Sequence, residues 1–424
     1  MAKRGGDSPR GLYFGWVVLA ACFLIIFMSQ GARNSAGLFF KPILSDFGWS
    51  RAALALPISL SLLLFGVFQP VAGRAADRWG ARWVVSFAGI ATVLALGLMS
   101  RVRSLGEVYL FYGVILAIGS GGTAFAVFTP LVAKWFAERR GMAMAIATTG
   151  TSAGQLVLFP LISLAIAGWG WRWTFAGLSL LYLVVCLPLA FLLLRDPPAR
   201  LPSPPGPPGR GAALRRRPPP YELPWGRCLT TRPFFLLAGS FFACGFTVTM
   251  MGVHFIPYAT DRGFSPQEAA YAMALGGGLN IVGTLLAGSA SDRFGRKLPL
   301  TLTYLVRGSG FFLFLLYPSL PTLYLSGMVV GLSWVATVPL TSSLTGDFFG
   351  PRNLGVLFGL VSLSHQIGSG VSSWLGGYIF DRLGSYDLAF LIAVLVLVAA
   401  GGVSYAIDER QVRAGLPAPQ EARA

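Results

Sequence analysis

The sequence predicts an all-α membrane protein, with twelve transmembrane helices in two six-helix parallel pseudo-repeats. Three observations carry that prediction. The first is composition: of 424 residues 54% are hydrophobic and only 12% charged, with a mean hydropathy of +0.66. A soluble chain of this length needs far more charge to cover its surface. The second is a recurrence of apolar runs about 20 residues long, the length a helix needs to cross the hydrocarbon of a bilayer. The third is an internal repeat at an offset of 215 residues.

The apolar runs place spans at 12–34, 52–72, 82–101, 106–132, 141–166, 173–194, 233–257, 269–290, 298–317, 321–345, 354–378 and 386–407. The first span contains Leu19-Ala20-Ala21-Cys22, which resembles a lipoprotein cleavage box. The apolar run continues through "FLIIFM" beyond Cys22, so an uncleaved helix is expected there. The expected organisation is a first half over 1–195, a linker over 196–232, a second half over 233–408 and a tail over 409–424. The linker, "DPPARLPSPPGPPGRGAALRRRPPPYELPWGR" over 196–227, is too rich in Pro and Gly to pack as a domain. Its Arg215-Arg216-Arg217 run either rests on anionic lipid headgroups or is a solvated, orientation-setting cluster.

An even number of spans puts both termini on one side. Segments on that side carry 24 Lys and Arg, and the opposite loops carry eight. The positive-inside rule then makes both termini cytoplasmic, in the inner membrane. The net charge of +17 is explained by this alternation, so no nucleic-acid partner is implied. Four cysteines show no metal or pairing pattern, and with two histidines in the chain most metal chemistry is excluded. No Ser/His/Asp set, HExxH motif or phosphate loop points to an enzyme. No cofactor is expected; the expected partners are lipids, a small substrate and protons, and the chain is expected to be a monomer.

The repeat aligns "FKPILSDFGWS" (40–50) with "FIPYATDRGFS" (255–265), and "GRAADRWGAR" (73–82) with "GSASDRFGRK" (288–297). Six helices separate the copies, so the halves share orientation, a transporter architecture. The pattern G-x-x-x-D-R-x-G-[RA]-[RK], present in both loops, resembles the loop motif of the major facilitator superfamily. The resemblance covers essentially the whole chain and implies two halves that rock about a central site. It gives Gly73, Asp77, Arg78, Gly80, Gly288, Asp292, Arg293 and Gly295 a gating role, in which the glycines allow tight turns and the acids meet a helix N-terminus or an Arg across the halves. A plain topology-setting charge is the reading for Arg82, Arg296 and Lys297.

No Asp or Glu lies deep in a span. Exporters of cationic drugs usually need such a carboxylate. The embedded polar residues are instead Arg33, Asn34, Gln155, His254, Asn280, Arg307, His365 and Gln366, a set that suits an anion because an Arg fork matches a carboxylate. "YFGWVVLAACFLI", "GLFFKPILSDFGWSRA" and "KWFAERRG" are similar to the bacterial carboxylate-porter branch, akin to monocarboxylate and oxalate/formate transporters. That resemblance implies a small organic anion, moved by proton symport or by exchange. The charged positions of those relatives fall here on Asn34, next to Arg33, and on Asn280, Thr284, His365 and Gln366. An exporter of neutral or amphipathic molecules is the alternative.

The substrate-binding candidates are therefore Arg33, Asn34, Gln155, His254, Tyr258, Asn280, Trp334, Thr337, His365 and Gln366. Arg33 either meets substrate or snorkels to headgroups. His254, one turn before Tyr258, is a hydrogen-bonder or a gate. His365 is the candidate for proton linkage or makes an interhelical bond. Asn280 can act as polar glue between helices. Trp334, Thr337 and Thr341 share one face of the tenth helix, which lines a pocket or packs. Arg307, roughly 15 Å into the ninth helix, is on a peripheral helix of the resembling fold; a sheltered structural role is expected for it.

Overall fold

The computed structural model describes residues 14–136, 140–196 and 225–409. Among them the chain is helical, with no strand. It forms twelve long rods: α1 (Phe14–Asn34, continued by Ala36–Phe47), α2 (Arg51–Trp79), α3 (Ala81–Met99), α4 (Leu105–Gly122, continued by Phe125–Trp135), α5 (140–169), α6 (171–193), α7 (Arg232–Asp261), α8 (Pro266–Phe294), α9 (Lys297–Leu316), α10 (Leu320–Leu332, then 337–349), α11 (351–383) and α12 (Asp387–Tyr405). Among the described residues, ten segments are long and apolar enough to cross a membrane. One of them, Ile146–Leu193, turns back at Gly170, and the more polar 351–383 supplies the twelfth crossing. The chain is a multi-pass membrane protein. Most of the 196–232 linker and the tail from 410 lie outside the described residues, as does the Arg215–Arg217 run.

Several rods run beyond the expected spans. The first does not stop at 34. Ser35 interrupts it, donating its hydroxyl to the Ala32 carbonyl at 2.7 Å, and the rod then continues to Phe47. Polar side chains that satisfy free amides mark where rods begin. Ser50 caps α2 by accepting from the Ala53 amide at 3.2 Å, and Ser265 with Glu268 forms a reciprocal capping box on α8.

The repeat survives where the backbone demands it. Gly48 and Gly263 have φ of 66° and 90°, and Gly80 and Gly295 have 87° and 82°. A side chain is strained in that left-handed region, so glycine stands at both copies. Gly80 joins α2 to α3 and Gly295 joins α8 to α9, giving the tight turns expected of the motif.

The two halves meet along α2–α11 and α5–α8. Ser59 donates to the Gly370 carbonyl at 2.8 Å, and Ser373 donates to the Ala55 carbonyl at 3.2 Å. Asn280 Nδ2 donates to Ser152 Oγ at 2.7 Å. Backbones approach closely at glycines: a Cβ on Gly377 would stand 2.8 Å from the Ala52 nitrogen, and one on Gly66 would stand 2.7 Å from Gln366 Cγ. The contact then stops. Gly359 and Gly355, two and three turns along α11 from Gln366, face open space, and so does Gly288 beyond Asn280 on α8. The halves are thus closed at the face away from the termini and spread at the face that holds the α2–α3 and α8–α9 turns.

Candidate central cavity

Between the halves, at the depth where contact ends, lies a cavity of about 100 Å³. Arg33 and Asn34 reach it from the end of the first stretch of α1, Ser61 from α2 and Tyr112 from α4. Thr249 of α7, Trp334 at the break in α10, and His365, Gln366 and Ser369 of α11 face it from the second half. On the scale of about 10–15 Å³ per water, it holds several waters or one small organic molecule.

Two of these walls are built from widened helical turns. Tyr109–Ile115 in α4 carries Tyr112, and Met250–His254 in α7 carries Gly252 and Val253 at the cavity. Turns of this π type insert a residue and re-aim the side chains beside them, and they recur at functional sites.

Arg33 dominates the electrostatics. Its guanidinium lies over the Phe65 ring, 3.6 Å from the centroid. Its Nη2 is buried and has no hydrogen-bond partner, and no carboxylate pairs with it among the described residues. An aromatic face offsets only part of the loss of hydration, about 0.5–2 kcal/mol. A buried donor left unmatched costs about 1–3 kcal/mol. Around it stand hydroxyls, the Asn34 and Gln366 amides, an indole and the His365 imidazole among aliphatic side chains, with no acid in the lining. Such a wall favours a negatively charged or strongly accepting guest.

Arg33, Asn34, Trp334, His365 and Gln366 are brought together here. Five other expected residues are not, each for a visible reason. His254 is fully buried between α7 and α11. It uses both ring nitrogens, Nε2 on the Ser373 carbonyl at 2.7 Å and Nδ1 on Tyr386 Oη at 3.3 Å. A carbonyl only accepts, so Nε2 carries the proton. Tyr258 points to the closed face, donating to Asp387 at 2.8 Å and stacking on Phe390. Asn280 is consumed by Ser152 and by the Val335 amide, which its Oδ1 accepts at 3.0 Å. Thr337 turns to Cys244 Sγ at 3.0 Å. Gln155 is buried in the α5–α8 seam, its Cβ 2.8 Å from where a Gly277 Cβ would be.

Tyr112, Ser61, Thr249 and Ser369 were not singled out by sequence reasoning. A hydroxyl inside an apolar span was their only signal, and dozens of serines and threonines share it. Of the gating candidates, Arg78 and Arg293 are exposed near the open face, and the side chains of Asp77 and Asp292 lie outside the described residues. Arg296 is not merely a topology charge. It pairs with Asp347, donates to the Ser343 carbonyl at 2.7 Å, and its backbone amide donates to Glu409 at 2.6 Å.

The closed face is held by ion pairs that cross between halves. Asp261 of α7 receives Lys41 at 2.6 Å and Arg51 at 2.6 Å. Asp381 of α11 accepts from the amides of Arg51 and Ala52 at 2.9 and 2.8 Å, capping the start of α2.

Two six-helix halves, joined at one face and parted at the other around a cavity lined by both polar and apolar side chains, define a membrane transporter rather than an enzyme. The chain belongs to the Major Facilitator Superfamily, whose family model matches residues 22–306 and 241–423. It is 27% identical over 413 residues to an uncharacterised MFS-type transporter, YcxA, of Bacillus subtilis, covering 95% of each chain. It is 28% identical over 411 residues to human monocarboxylate transporter 11, covering 93% of this chain and 82% of that one. Among solved structures it is similar to a bacterial homolog of the human lysosomal transporter Spinster in an inward-facing, occupied conformation. There the TM-score is 0.72 at 19% identity, over 94% of this chain and 97% of that one.

Proposed function

We propose that this transporter moves a small organic anion, a carboxylate, across the inner membrane by alternating access. The observation that carries the reading is Arg33: a half-buried arginine at the meeting point of the halves, whose buried Nη2 has no hydrogen-bond partner and which no acid neutralises among the described residues. The similarity to transporters named for monocarboxylates supports it. In this reading a carboxylate takes the Arg33 fork, Tyr112 and Asn34 hold it from the first half, and His365, Gln366 and Trp334 hold it from the second. Binding draws the halves together, because groups on both sides then share one guest. His365 is the proton carrier if transport is symport; exchange of one anion for another needs only Arg33 to be re-paired before the halves rock.

With both termini cytoplasmic, as the loop charges support, the spread face opens to the cytoplasm and the Asp261 and Asp381 contacts seal the outside. The halves, 1–195 and 233–408, move as units joined by the 196–232 linker. Gly73, Asp77, Gly288 and Asp292, with the turns at Gly80 and Gly295, form the gate that closes the cytoplasmic face in the opposite state.

The test is uptake of labelled mono- and dicarboxylates into proteoliposomes, with and without a proton gradient and with unlabelled acid preloaded. Saturable uptake of one acid supports the reading, and the gradient and preload arms separate symport from exchange. Silence across the panel, with folded protein, removes it. Ile58, Leu62, Val248 and Val253 also line the cavity and favour a neutral or amphipathic export substrate as the second reading. Expulsion of an apolar dye that carboxylates do not inhibit would support that one.

A further inference from the structure

Among the described residues, a fully buried charge lies beside the cavity. Arg307 of α9 has no exposed surface, and among the described residues it forms no ion pair. Its donors converge on neighbouring helices. Nη2 donates to the carbonyls of Ser333 and Trp334, the latter at 3.0 Å. Nε reaches Ser333 Oγ at 3.4 Å, and Nη1 reaches Cys244 Sγ and Thr247 Oγ1 at 3.3 Å each. Ser333 and Trp334 belong to the break in α10, where the helix Leu320–Leu332 ends and the next stretch has not begun. Carbonyls at a helix end lack intrahelical donors and carry the negative pole of the helix. The guanidinium takes the place of those donors, and the carbonyls take the place of an acid.

The same break is held from its other side. Asn280 of α8 accepts the Val335 amide at 3.0 Å and donates to Ser152 of α5, in the other half, at 2.7 Å. Between these two holds stands Trp334, whose side lines the cavity. Three consecutive residues, 333–335, are therefore fixed by one side chain from a peripheral helix and one from the seam.

We propose that Arg307 is a positioning residue for substrate: it holds the α10 break in register, and so sets Trp334 against the cavity and Asn280 against Ser152 across the seam. The proposal rests on the transport reading above. It makes the α10 break the element through which a guest at Trp334 alters a contact between the halves. Arg307 itself touches no substrate.

The test uses the full-length protein in nanodiscs as wild type, Arg307→Lys, Arg307→Met and Tyr304→Phe. The last removes, from the same helix, a hydroxyl that donates to the Ser240 carbonyl at 2.7 Å. Amide hydrogen exchange of 333–338 is read without ligand, and KM and kcat are read by uptake of labelled pyruvate into proteoliposomes. Arg307→Met is expected to speed exchange across 333–338 by about tenfold, with α7, α9 and the rest of α10 unaltered. Arg307→Lys, which keeps one donor group at the carbonyls, is expected to recover most of that protection. Arg307→Met should also raise KM by about fivefold with kcat within about twofold, and Arg307→Lys should bring KM back toward the wild-type value. Tyr304→Phe should change neither. Unaltered exchange in Arg307→Met, exchange raised evenly over α7, α9 and α10, or a fall in kcat at constant KM would each overturn the proposal. Exchange needs no substrate, so it decides the role of Arg307 even when pyruvate is not carried. Absent pyruvate uptake by the wild type counts against the carboxylate reading alone.

Discussion

Asp261 receives the guanidinium of Arg51 across the seam through two parallel hydrogen bonds, Nη1 to Oδ2 at 2.6 Å and Nη2 to Oδ1 at 3.0 Å. Its repeat counterpart does the opposite. Asp46 stays within its own half, accepting from Trp171 Nε1 at 2.8 Å. The position equivalent to Arg51 in the second half is Pro266, which has no charge to offer. The sequence symmetry is thus broken at the residue that latches the halves.

Asp261→Asn is expected to weaken that latch. Both partners are partly solvated, so the pair is worth only about 0.5–1 kcal/mol, a two- to fivefold shift toward opening at that face. Spin labels at Arg103 and Arg382, read by pulsed dipolar spectroscopy, should report a larger long-distance population. An unchanged distance distribution would leave Asp381 and the apolar contacts as the whole latch.

Arg33→Gln is expected to lower anion affinity by roughly 10- to 100-fold, the worth of one charge-assisted hydrogen bond of about 1.5–3 kcal/mol. Uptake kinetics or equilibrium binding measures it, and Arg33→Lys should fall between. Affinity equal to wild type would remove Arg33 from the site.

His254→Leu should act on stability and not on affinity. It leaves the Ser373 carbonyl and Tyr386 hydroxyl unmatched in a buried seam, a loss of about 1–3 kcal/mol. Thermal denaturation in detergent should shift downward while KM holds. A raised KM with an unshifted melt would return His254 to the substrate path.

Gly288→Ala and Gly295→Ala separate gate from turn. A Cβ on Gly288 meets open space here, so the melting temperature should hold, whereas uptake should slow if this face closes on that glycine. Gly295→Ala forces a side chain to φ 82°, costing about 1–2 kcal/mol, and should lower the melt. Normal uptake by Gly288→Ala would exclude close approach at that position.

How much of this was legible in the residues depended on the range of the interaction. Span number and the parallel halves follow from hydropathy and from a gapless repeat, both written locally. The end of the first apolar run at 34 is local too, but the continuation of α1 over Ala36–Phe47 is not. His254 and His365 illustrate the limit. Both are imidazoles inside apolar spans, yet one is consumed by a carbonyl 119 residues away and the other faces the cavity. Ser364 and Gln366 beside His365, against Val253 and Phe255 beside His254, are the difference between their immediate neighbours, and they do not specify which partner each ring finds.

By itself, then, the sequence determined a twelve-helix transporter with no acid deep in a span. Crossing lipid forces every backbone group into a helix and every buried charge to be exceptional. Only the tertiary structure decided which polar side chains share the cavity, that Tyr112 joins Arg33 there, and that Arg307 is satisfied by the open carbonyls of α10. Those outcomes depend on the rotation of each helix about its axis and on where a helix breaks. Both are set by contacts between residues far apart in the chain, such as Asn280 with Ser152 and Gly377 with Ala52.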